Sequence, residues 1–400
     1  MAFIFVAHDT PEPSLYGAMA AILAAQKHLP LAHLPVSWDI ARYPDACQHV
    51  IGEGQLMTSG LLWTERMNPQ SAGKVMELDA LLETYGTQDV VIPLGPMQII
   101  KFTEIARQVR ENAFDYELIT VERANQGYAF SRHGITDEAA GCWWRDRYGR
   151  WINHNTPPHT GTSLRIALVG AQSDQCTTYP ATLAALGDAA DALSLSLDIV
   201  YATPVALEDH LHEVMENVDG ILLPGGSAMC NVNGQICAAH YALNRKIPVL
   251  GLCLGMQTMA TAVVQNMMGS MKANLAEADP DADIKTFVPL QDTPTLPVHR
   301  LGDHQMRSRP GSRLYDILGD EFTVRYNHRF HLDPAWKGDL EKYGLRISGT
   351  DLSGKIADGI EFTDHPFYLG VQGHPELSSL RVKPHPLLIA FLNAAGSQRS

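Results

Sequence analysis

The stretch Gly251-Leu252-Cys253-Leu254-Gly255-Met256-Gln257 decides the fold and the chemistry of this 400-residue chain. Residues 247–250 before it form a short apolar run that predicts a buried strand, and residues 258–268 after it predict a helix. A cysteine with glycines two positions before and after it, at a strand-to-helix junction, is typical of a nucleophile elbow. The turn leaves no room for side chains at the glycine positions. The thiol of Cys253 should therefore lie at the carboxyl edge of a sheet, where the first helical amides can stabilise a thiolate or an oxyanion.

A second motif, Gly370-Val371-Gln372-Gly373-His374-Pro375-Glu376, follows another apolar run, residues 367–371. A thiol nucleophile needs a base to take its proton, and an imidazole base needs a carboxylate to fix its tautomer. Only one residue separates His374 from Glu376, so both side chains can face one crevice from the end of one strand. Alone, the first motif would more often mark a structural cysteine in a turn. Together, the two motifs predict a catalytic triad of Cys253, His374 and Glu376.

From about Leu164 to the C-terminus, the chain resembles the class I (triad) glutamine amidotransferases, and within them the glutaminase domain of CTP synthase. The segments that carry the resemblance occur in the family's order and are residues 165–170, 218–226, 236–257, 272–277, 299–302, 325–330, 374–376 and 384–387. The segments His299-Arg300-Leu301-Gly302 and Tyr326-Asn327-His328-Arg329-Phe330 point to the CTP synthase branch. The resemblance implies an α/β fold for residues 164–400, with a mainly parallel sheet and flanking helices.

The resemblance also implies roles for the residues of the two motifs. Cys253 would attack the side-chain amide of L-glutamine, or of a related γ-glutamyl compound, to give a glutamyl thioester and ammonia. His374 would act as general base and then as general acid, and Glu376 would orient it. The backbone N–H groups of Gly226 and Leu254 would form the oxyanion hole.

Three further residues match family positions that bind the amino and carboxylate groups of glutamine. They are Gln257, Glu277 and Arg329. An acid, a base and an amide are what a zwitterionic substrate requires. Without the resemblance, Glu277 and Arg329 would be interpreted as solvated loop charges.

The chain departs from the family pattern at several positions. Residues 227–234 replace a glycine-rich loop that carries an arginine, so regulation by a nucleotide activator is in doubt. Ala171 stands where the family has a lysine. Residues 1–163 contain no match to the phosphate-binding pattern G-x-x-x-x-G-K-[ST], so we expect that this chain does not make CTP.

Composition and charge exclude several other classes of protein. The net charge of −14 and the absence of a basic stripe argue against nucleic acid or a membrane surface as partner. Residues 1–6 predict a strand rather than a signal peptide, and no apolar run approaches the ~20 residues of a spanning helix. The six cysteines lack paired C-x-x-C spacing, which predicts neither zinc nor disulfides and fits a reducing cytoplasm. His328 and His331 could suggest a metal pair. The resemblance instead explains this segment by the role of Arg329 in binding the substrate, so we expect no metal and no cofactor.

Residues 1–150 predict a smaller α/β or α+β domain of unassigned role, and residues 151–163 predict an interdomain linker rich in turn formers. The expected strands are residues 3–6, 90–94 and 116–121, and the expected helices are residues 14–28, capped by Ser14, and residues 98–112. His8-Asp9-Thr10 follows the first strand, at a position where α/β proteins often place ligand residues.

Arginines and tryptophans are concentrated near the end of this domain. They are Arg123, Arg132, His133, Trp143, Trp144, Arg145, Arg147, Arg150 and Trp151. Such a cluster could bind an anionic or aromatic acceptor, or it could form an interface between domains. We favour the interface, because no motif supports the acceptor site.

Two classes of function remain open from the sequence. In the first, the chain is an amidotransferase, and ammonia passes to an acceptor small molecule or to a partner synthetase. In the second, it is a stand-alone hydrolase of glutamine or of a γ-glutamyl amide, and the N-terminal domain shapes the pocket or forms a homo-oligomer. A non-catalytic regulatory protein is a third class, which the intact Cys-His-Glu set disfavours.

Overall fold

The computed structural model describes residues 2–43, 46, 50–52, 55–67, 72–154, 161–291 and 298–399. The chain forms two compact units, the first comprising Met1–Pro157 and Ser173–Ala184, and the second comprising Pro158–Gln172 and Ala185–Ser400. Each unit has its own hydrophobic core. Cys47 and residues 155–160 of the expected linker lie outside the described residues.

The first unit is built on a mixed sheet. Its strands are β1 (Ala2–Ala7), β2 (Val50–Gly52), β3 (Gln55–Met57), β4 (Val90–Leu94), β5 (Asp115–Ala124), β6 (Gly127–Arg132), β7 (Ile135–Thr136), β8 (Cys142–Arg145) and β9 (Trp151–Ile152). The strand order of the sheet is β4-β1-β5-β6-β8-β9, with β7 on β6 and a separate β2-β3 pair. β1 runs parallel to β4 and β5, and β5, β6, β8 and β9 pair antiparallel. The three strands expected in this region are confirmed, and β9 occupies the first two residues of the expected linker.

Two helix predictions in the first unit are wrong in detail. Its helices are α1 (Ala18–Lys27), α2 (Leu62–Met67), α3 (Leu78–Tyr85), α4 (Pro96–Ile100) and α5 (Phe102–Glu111). Ser14 does not cap α1, because Gly17 with φ 73° is the N-cap, and the buried Ser14 hydroxyl instead accepts a hydrogen bond from Arg145. The expected single helix over residues 98–112 is broken at Lys101, and Gly95 and Pro96 start α4 two residues earlier.

The second unit contains the remaining strands. They are β10 (Ser163–Val169), β11 (Ser196–Ala202), β12 (Gly220–Leu223), β13 (Val249–Leu252), β14 (Ala273–Leu275), β15 (Ile284–Pro289), β16 (Arg300–Ser308), β17 (Glu321–His328), β18 (Phe330–Leu332), β19 (Leu345–Asp351), β20 (Ala357–Phe362) and β21 (Tyr368–Val371). The order of the large sheet is β11-β10-β12-β13-β21-β20-β19-β16-β17. The strands from β11 to β21 pair in parallel, whereas β20, β19, β16 and β17 continue the sheet antiparallel. The expected α/β class is confirmed.

The remaining helices follow β10 along the chain, and most of α11 is buried. The helices are α6 (Gln172–Thr177), α7 (Pro180–Ala192), α8 (Pro204–Asp209), α9 (Leu211–Val214), α10 (Val232–Arg245), α11 (Leu254–Met268), α12 (Arg313–Leu318), α13 (Lys337–Tyr343) and α14 (Pro386–Gly396). Most of α6 and the start of α7 belong to the first unit. All residues of α11 from Leu254 to Gln265 are buried, and its buried polar residues make hydrogen bonds, as Thr258, Thr261 and Gln265 do. Among the described helices, none has both the length and the apolar character required to cross a bilayer.

His385 is the N-cap of α14 and makes the stability of the fold sensitive to acid. Its ring Nδ1 accepts a hydrogen bond from the backbone N–H of Leu387 at 3.2 Å. Burial lowers the pKa of His385 from 6.5 to about 4, against the opposing charge of Glu376. The folded state therefore binds this proton less readily than the unfolded chain does. The contribution of His385 to stability is complete above pH 6.5 and is lost as the pH falls toward 4.

The substitution His385→Asn is expected to make the fold less sensitive to acid. Asparagine keeps the cap because it is among the best N-cap residues, and it does not titrate. Between pH 7 and pH 4, the free energy of unfolding of the variant should fall by about 2 kcal/mol less than that of the natural protein, allowing for the partly exposed ring. Denaturant unfolding across this range measures the difference. His385→Ala is the control, which should lose about 1 kcal/mol at neutral pH with the cap. Parallel pH profiles for the natural protein and His385→Asn would contradict this assignment.

Candidate active site

Cys253 lies in a strained turn between β13 and α11. Its backbone has φ 48° and ψ −105°, a conformation that side chains other than glycine rarely adopt. The turn is held because the backbone N–H of Cys253 donates to the carbonyl of Val371, at the end of β21, at 2.8 Å. Strand pairing thus places the thiol at the carboxyl edge of the parallel strands, immediately before the first turn of α11.

The two glycines that flank Cys253 are required by close contacts. A Cβ atom on Gly251 would lie 2.4 Å from Sδ of Met259, and one on Gly255 would lie 2.1 Å from the carbonyl oxygen of Leu223. The second contact is with backbone, which cannot rotate away as a flexible side chain can. The glycine spacing seen in the sequence is therefore a steric requirement of the turn.

His374 and Glu376 follow β21 and lie beside the cysteine. His374 Nδ1 and Glu376 Oε1 are 2.7 Å apart, and both side chains are buried. Gly225, in the loop after β12, faces both the imidazole and the cysteine, because a Cβ atom there would lie 2.7 Å from Cε1 of His374 and 3.3 Å from Cβ of Cys253. The structure thus brings together the three residues expected to form the triad.

The electrostatics of this cluster favour a charged imidazole. Burial by itself lowers the pKa of His374, but the charges of Glu376 and Cys253, together with hydrogen bonds to both, raise that pKa well above its ordinary value. A raised pKa means that His374 binds a proton more readily than a free imidazole does, which favours transfer of the thiol proton to it.

Of the two residues expected to form the oxyanion hole, Leu254 directly follows Cys253, and Gly226 directly follows Gly225, which faces Cys253. Leu254 is the first residue of α11, so its N–H has no partner within the helix. Gly226 has φ 144° in the loop after β12. That loop is tied to α11 through Gln235, whose amide donates to the carbonyl of Pro224 at 3.0 Å and accepts from the hydroxyl of Thr258 at 3.1 Å. No pattern in the sequence points to this buried support.

The residues expected to bind the substrate come from three elements. Gln257, in the first turn of α11, is buried, and its Oε1 has no hydrogen-bond partner among the described residues. Glu277 follows β14, and Arg329 lies between β17 and β18; β14 and β18 belong to a small sheet of order β14-β15-β18. Partial burial raises the pKa of Glu277, and the charge of Arg329 opposes that rise.

Two groups contact the sulfur that were not expected from the sequence. The side chain of Gln372, fully buried, donates from Nε2 to Sγ of Cys253 at 3.5 Å. The backbone carbonyl of Asn327 lies 4.0 Å from the same sulfur, and the Asn327 side chain pairs with His299 at 2.8 Å. Gln372 stands inside the second motif, but its spacing there does not reveal which atom it contacts.

A buried ion pair anchors the antiparallel half of the sheet. Arg300 pairs with Asp358, and the hydroxyl of Tyr326 donates to the same carboxylate at 3.1 Å. The guanidinium carbon of Arg300 also lies 3.7 Å from the centre of the Tyr326 ring. These contacts explain two residues of the segments that resemble the CTP synthase branch. They support β16, β17 and β20 and do not contact the thiol.

The two histidines that could suggest a metal pair are His328, at the end of β17, and His331, in β18. His328 Nδ1 pairs with the carbonyl of Phe330 at 2.8 Å, and burial and then the charge of Arg300 lower its pKa to about 3. Within the described ranges, no group of three or more His, Cys, Asp or Glu side chains is arranged to hold a metal ion.

The candidate ligand residues of the first unit are largely engaged within that unit. His8 lies directly after β1, is buried, and packs edge-on against Tyr128 with ring centres 4.7 Å apart. Burial lowers its pKa to about 4. In the arginine and tryptophan cluster, three arginines pair with nearby acids: Arg132 with Glu117, Arg145 with Glu12, and Arg150 with Asp146. These contacts reduce the charge left for an anionic acceptor.

Comparison with known proteins gives matches to the second unit. Residues 184–394 match the family model for glutamine amidotransferase class-I. A CTP synthase of Thermus thermophilus is 34% identical over 252 residues, which cover 59% of this chain and 45% of that protein. A CTP synthase of Rhodopseudomonas palustris is 34% identical over 254 residues, covering 58% and 46%. The chain thus spans less than half the length of these curated relatives.

One solved structure with a similar fold is the glutaminase domain of Trypanosoma brucei CTPS with bound acivicin. It is 29% identical, with a TM-score of 0.55, and the match covers 58% of this chain and 94% of that one. The similarity extends over nearly all of that domain. It covers about the same share of this chain as the sequence matches do.

Proposed function

This chain belongs to the glutamine amidotransferase class-I family, and we propose that it hydrolyses the side-chain amide of glutamine and releases ammonia. The observation that carries the proposal is the convergence of a thiol in a strained strand-to-helix turn with a buried His374–Glu376 pair. A cysteine nucleophile, a base and a carboxylate that orients the base are the parts required for amide hydrolysis through a thioester.

In the proposed mechanism, His374 takes the proton of Cys253, and the sulfur attacks the amide carbon of the substrate. The carbonyl oxygen becomes an oxyanion, which the backbone N–H groups of Gly226 and Leu254 stabilise, each by a few kcal/mol of barrier. The C–N bond then breaks, and His374 returns the proton to the departing ammonia. A water molecule, activated by the same imidazole, hydrolyses the thioester and restores the thiol.

Recognition of the substrate is assigned to the polar groups around the thiol. The unpartnered Oε1 of Gln257 is an acceptor suited to the α-amino group of glutamine. Glu277 adds a negative charge for the same ammonium group, and Arg329 supplies a positive charge for the α-carboxylate. A γ-glutamyl amide carries the same groups and is the other substrate that this site suits.

The fate of the ammonia defines the rest of the proposal. We propose that the ammonia is transferred, in the cytoplasm, to an acceptor small molecule bound by this protein or to a partner synthetase. We propose that this chain by itself does not aminate UTP, because residues 1–163 contain no lysine-bearing phosphate loop of the kind that phosphoryl transfer requires. We expect neither nucleic acid nor a membrane surface as partner, given the net charge of −14. The alternative is a stand-alone hydrolase, with the first unit shaping the pocket or forming a homo-oligomer.

An assay of ammonia release from glutamine tests the proposal. The purified protein should release ammonia and glutamate in equal amounts, and a candidate acceptor with ATP should raise the rate if the protein is a transferase. Full activity without any acceptor would favour the stand-alone hydrolase. Adding UTP, ATP and magnesium should give no CTP, and CTP at a catalytic rate would contradict that part of the proposal. Absence of ammonia from both glutamine and γ-glutamyl amides would overturn the proposed function itself.

A further inference from the structure

Gln372 connects the thiol to the glutamine that faces the substrate. Its Nε2 donates to Sγ of Cys253 at 3.5 Å, and its Oε1 accepts from Nε2 of Gln257 at 3.4 Å. Its backbone N–H donates to the carbonyl of Asp358 at 2.8 Å, and the Asp358 carboxylate is itself held by Arg300. The Gln372 side chain is therefore held at both ends, and its backbone is anchored to β20.

The donor end of this amide acts on the sulfur. A hydrogen bond to a charged acceptor is stronger than one to a neutral acceptor, so an N–H aimed at Sγ stabilises the thiolate more than the thiol. Cys253, Gln372 and Gln257 are 6%, 0% and 3% exposed, so little water is available to replace a lost donor. The low exposure makes this contact more effective than it would be on the surface.

The acceptor end acts on Gln257. An amide side chain can turn over and exchange its oxygen and nitrogen, and only its hydrogen-bond partners decide between the two orientations. Because Gln372 Oε1 accepts from the nitrogen of Gln257, the oxygen of Gln257 is the atom left without a partner among the described residues. That oxygen can accept a hydrogen bond from an ammonium group.

We propose that Gln372 is a positioning residue that stabilises the Cys253 thiolate and fixes the orientation of Gln257 toward the α-amino group of the substrate. The proposal rests on the proposed function for the identity of the substrate, but its effect on the thiol does not depend on that identity. Two substitutions of similar size separate the two effects. Gln372→Glu keeps an acceptor for Gln257 and loses the donor to sulfur, whereas Gln372→Met loses both.

The first test measures the sulfur without any substrate. Iodoacetamide has no glutamine-like part, and the rate at which it alkylates Cys253 is followed by mass spectrometry of the peptide across a series of pH values. At neutral pH, Gln372→Met should react about tenfold more slowly than the natural protein, and Gln372→Glu more slowly still because of its negative charge. The pH profile of the reaction should move to higher pH in both variants.

The second test measures hydrolysis of glutamine. Gln372→Glu should lower kcat and leave KM close to its natural value, because Gln257 keeps its acceptor. Gln372→Met should lower kcat and also raise KM severalfold. A residue that only fills space would give similar losses in the two variants, without a shift of the pH profile, and that result would overturn the proposal.

Gln265→Met is the matched control for both tests. Like Gln257, Gln265 is a buried glutamine of α11, and it lies about two helical turns beyond Gln257. Its Nε2 donates to the carbonyl of Ala273 at 2.8 Å. This variant should alkylate and hydrolyse as the natural protein does. If neither the natural protein nor any variant releases ammonia but the order of alkylation holds, the proposed function fails and the role of Gln372 stands. If the natural protein is active but the Gln372 variants alkylate normally, the role of Gln372 fails alone.

Discussion

Replacing Cys253 with alanine is expected to lower the hydrolysis of glutamine by at least about 10⁴-fold, because no other group in the proposed site can form the thioester. The fold should be retained, since the substitution removes one sulfur atom from a turn that strand pairing already holds. Ammonia release gives the activity, and circular dichroism with thermal unfolding gives the fold. Serine at this position should be nearly as inactive, because its hydroxyl is a far weaker nucleophile beside the same imidazole.

Labelling with a glutamine-mimicking electrophile provides the positive control for this prediction. The natural protein should carry one label, on Cys253, and Cys253→Ala should carry none. Labelling at a different cysteine with loss of activity would contradict the assignment. The other cysteines are Cys47, Cys142, Cys176, Cys230 and Cys237.

Gly255→Ala is expected to damage both the fold and the site. The added methyl group would lie 2.1 Å from the carbonyl oxygen of Leu223, so either α11 or β12 must shift. We expect a loss of about 3 kcal/mol in the free energy of unfolding and a loss of activity of at least about 100-fold, because a displacement of the thiol by ~1 Å is enough for that effect. Chemical denaturation and ammonia release measure the two losses.

Gly338→Ala is the matched control for this prediction. Gly338 lies in α13, and no atom of the described residues lies within 4 Å of the Cβ atom that alanine would add. The same substitution there should leave activity unchanged and raise stability slightly, by up to about 1 kcal/mol, since alanine favours helix. Equal stability of Gly255→Ala and the natural protein would show that the turn can relax around the methyl group.

The turn that carries Cys253 was predictable because its constraints are local. Gly251 and Gly255 are required by close packing around a single strand-turn-helix unit, and such spacing is visible in the sequence. The short spacing between His374 and Glu376 likewise fixes their neighbourhood without knowledge of the rest of the fold. The parallel strands were predictable because apolar runs of this kind are typical of strands buried on both faces.

Features that depend on distant partners were missed or wrong. Serine is a favoured N-cap residue, but the hydroxyl of Ser14 accepts a hydrogen bond from Arg145, which is far along the chain. Helix α1 starts after Gly17 instead. The supporting roles of Gln235 and Gln372 depend on which atoms meet them in three dimensions. The antiparallel strands β16 and β17 were not predicted. β16 contains few apolar residues, and the alternation of Phe322, Val324 and Tyr326 with polar residues in β17, which is typical of a half-buried strand, was missed.

The pairing of the large sheet brings its two distant parts into contact. In a flat sheet, β17 would lie about 19 Å from β21. Three strands lie between them, which makes four spacings of ~4.8 Å each. Yet the backbone N–H of His374, just beyond β21, donates to the carbonyl of Arg325 in β17 at 2.8 Å, so the antiparallel half curls back as part of a barrel does. The segment that carries the histidine thereby occupies hydrogen-bonding groups that an outermost strand would otherwise offer to another molecule. Displacing this segment would both move His374 away from Cys253 and expose a strand edge prone to aggregation.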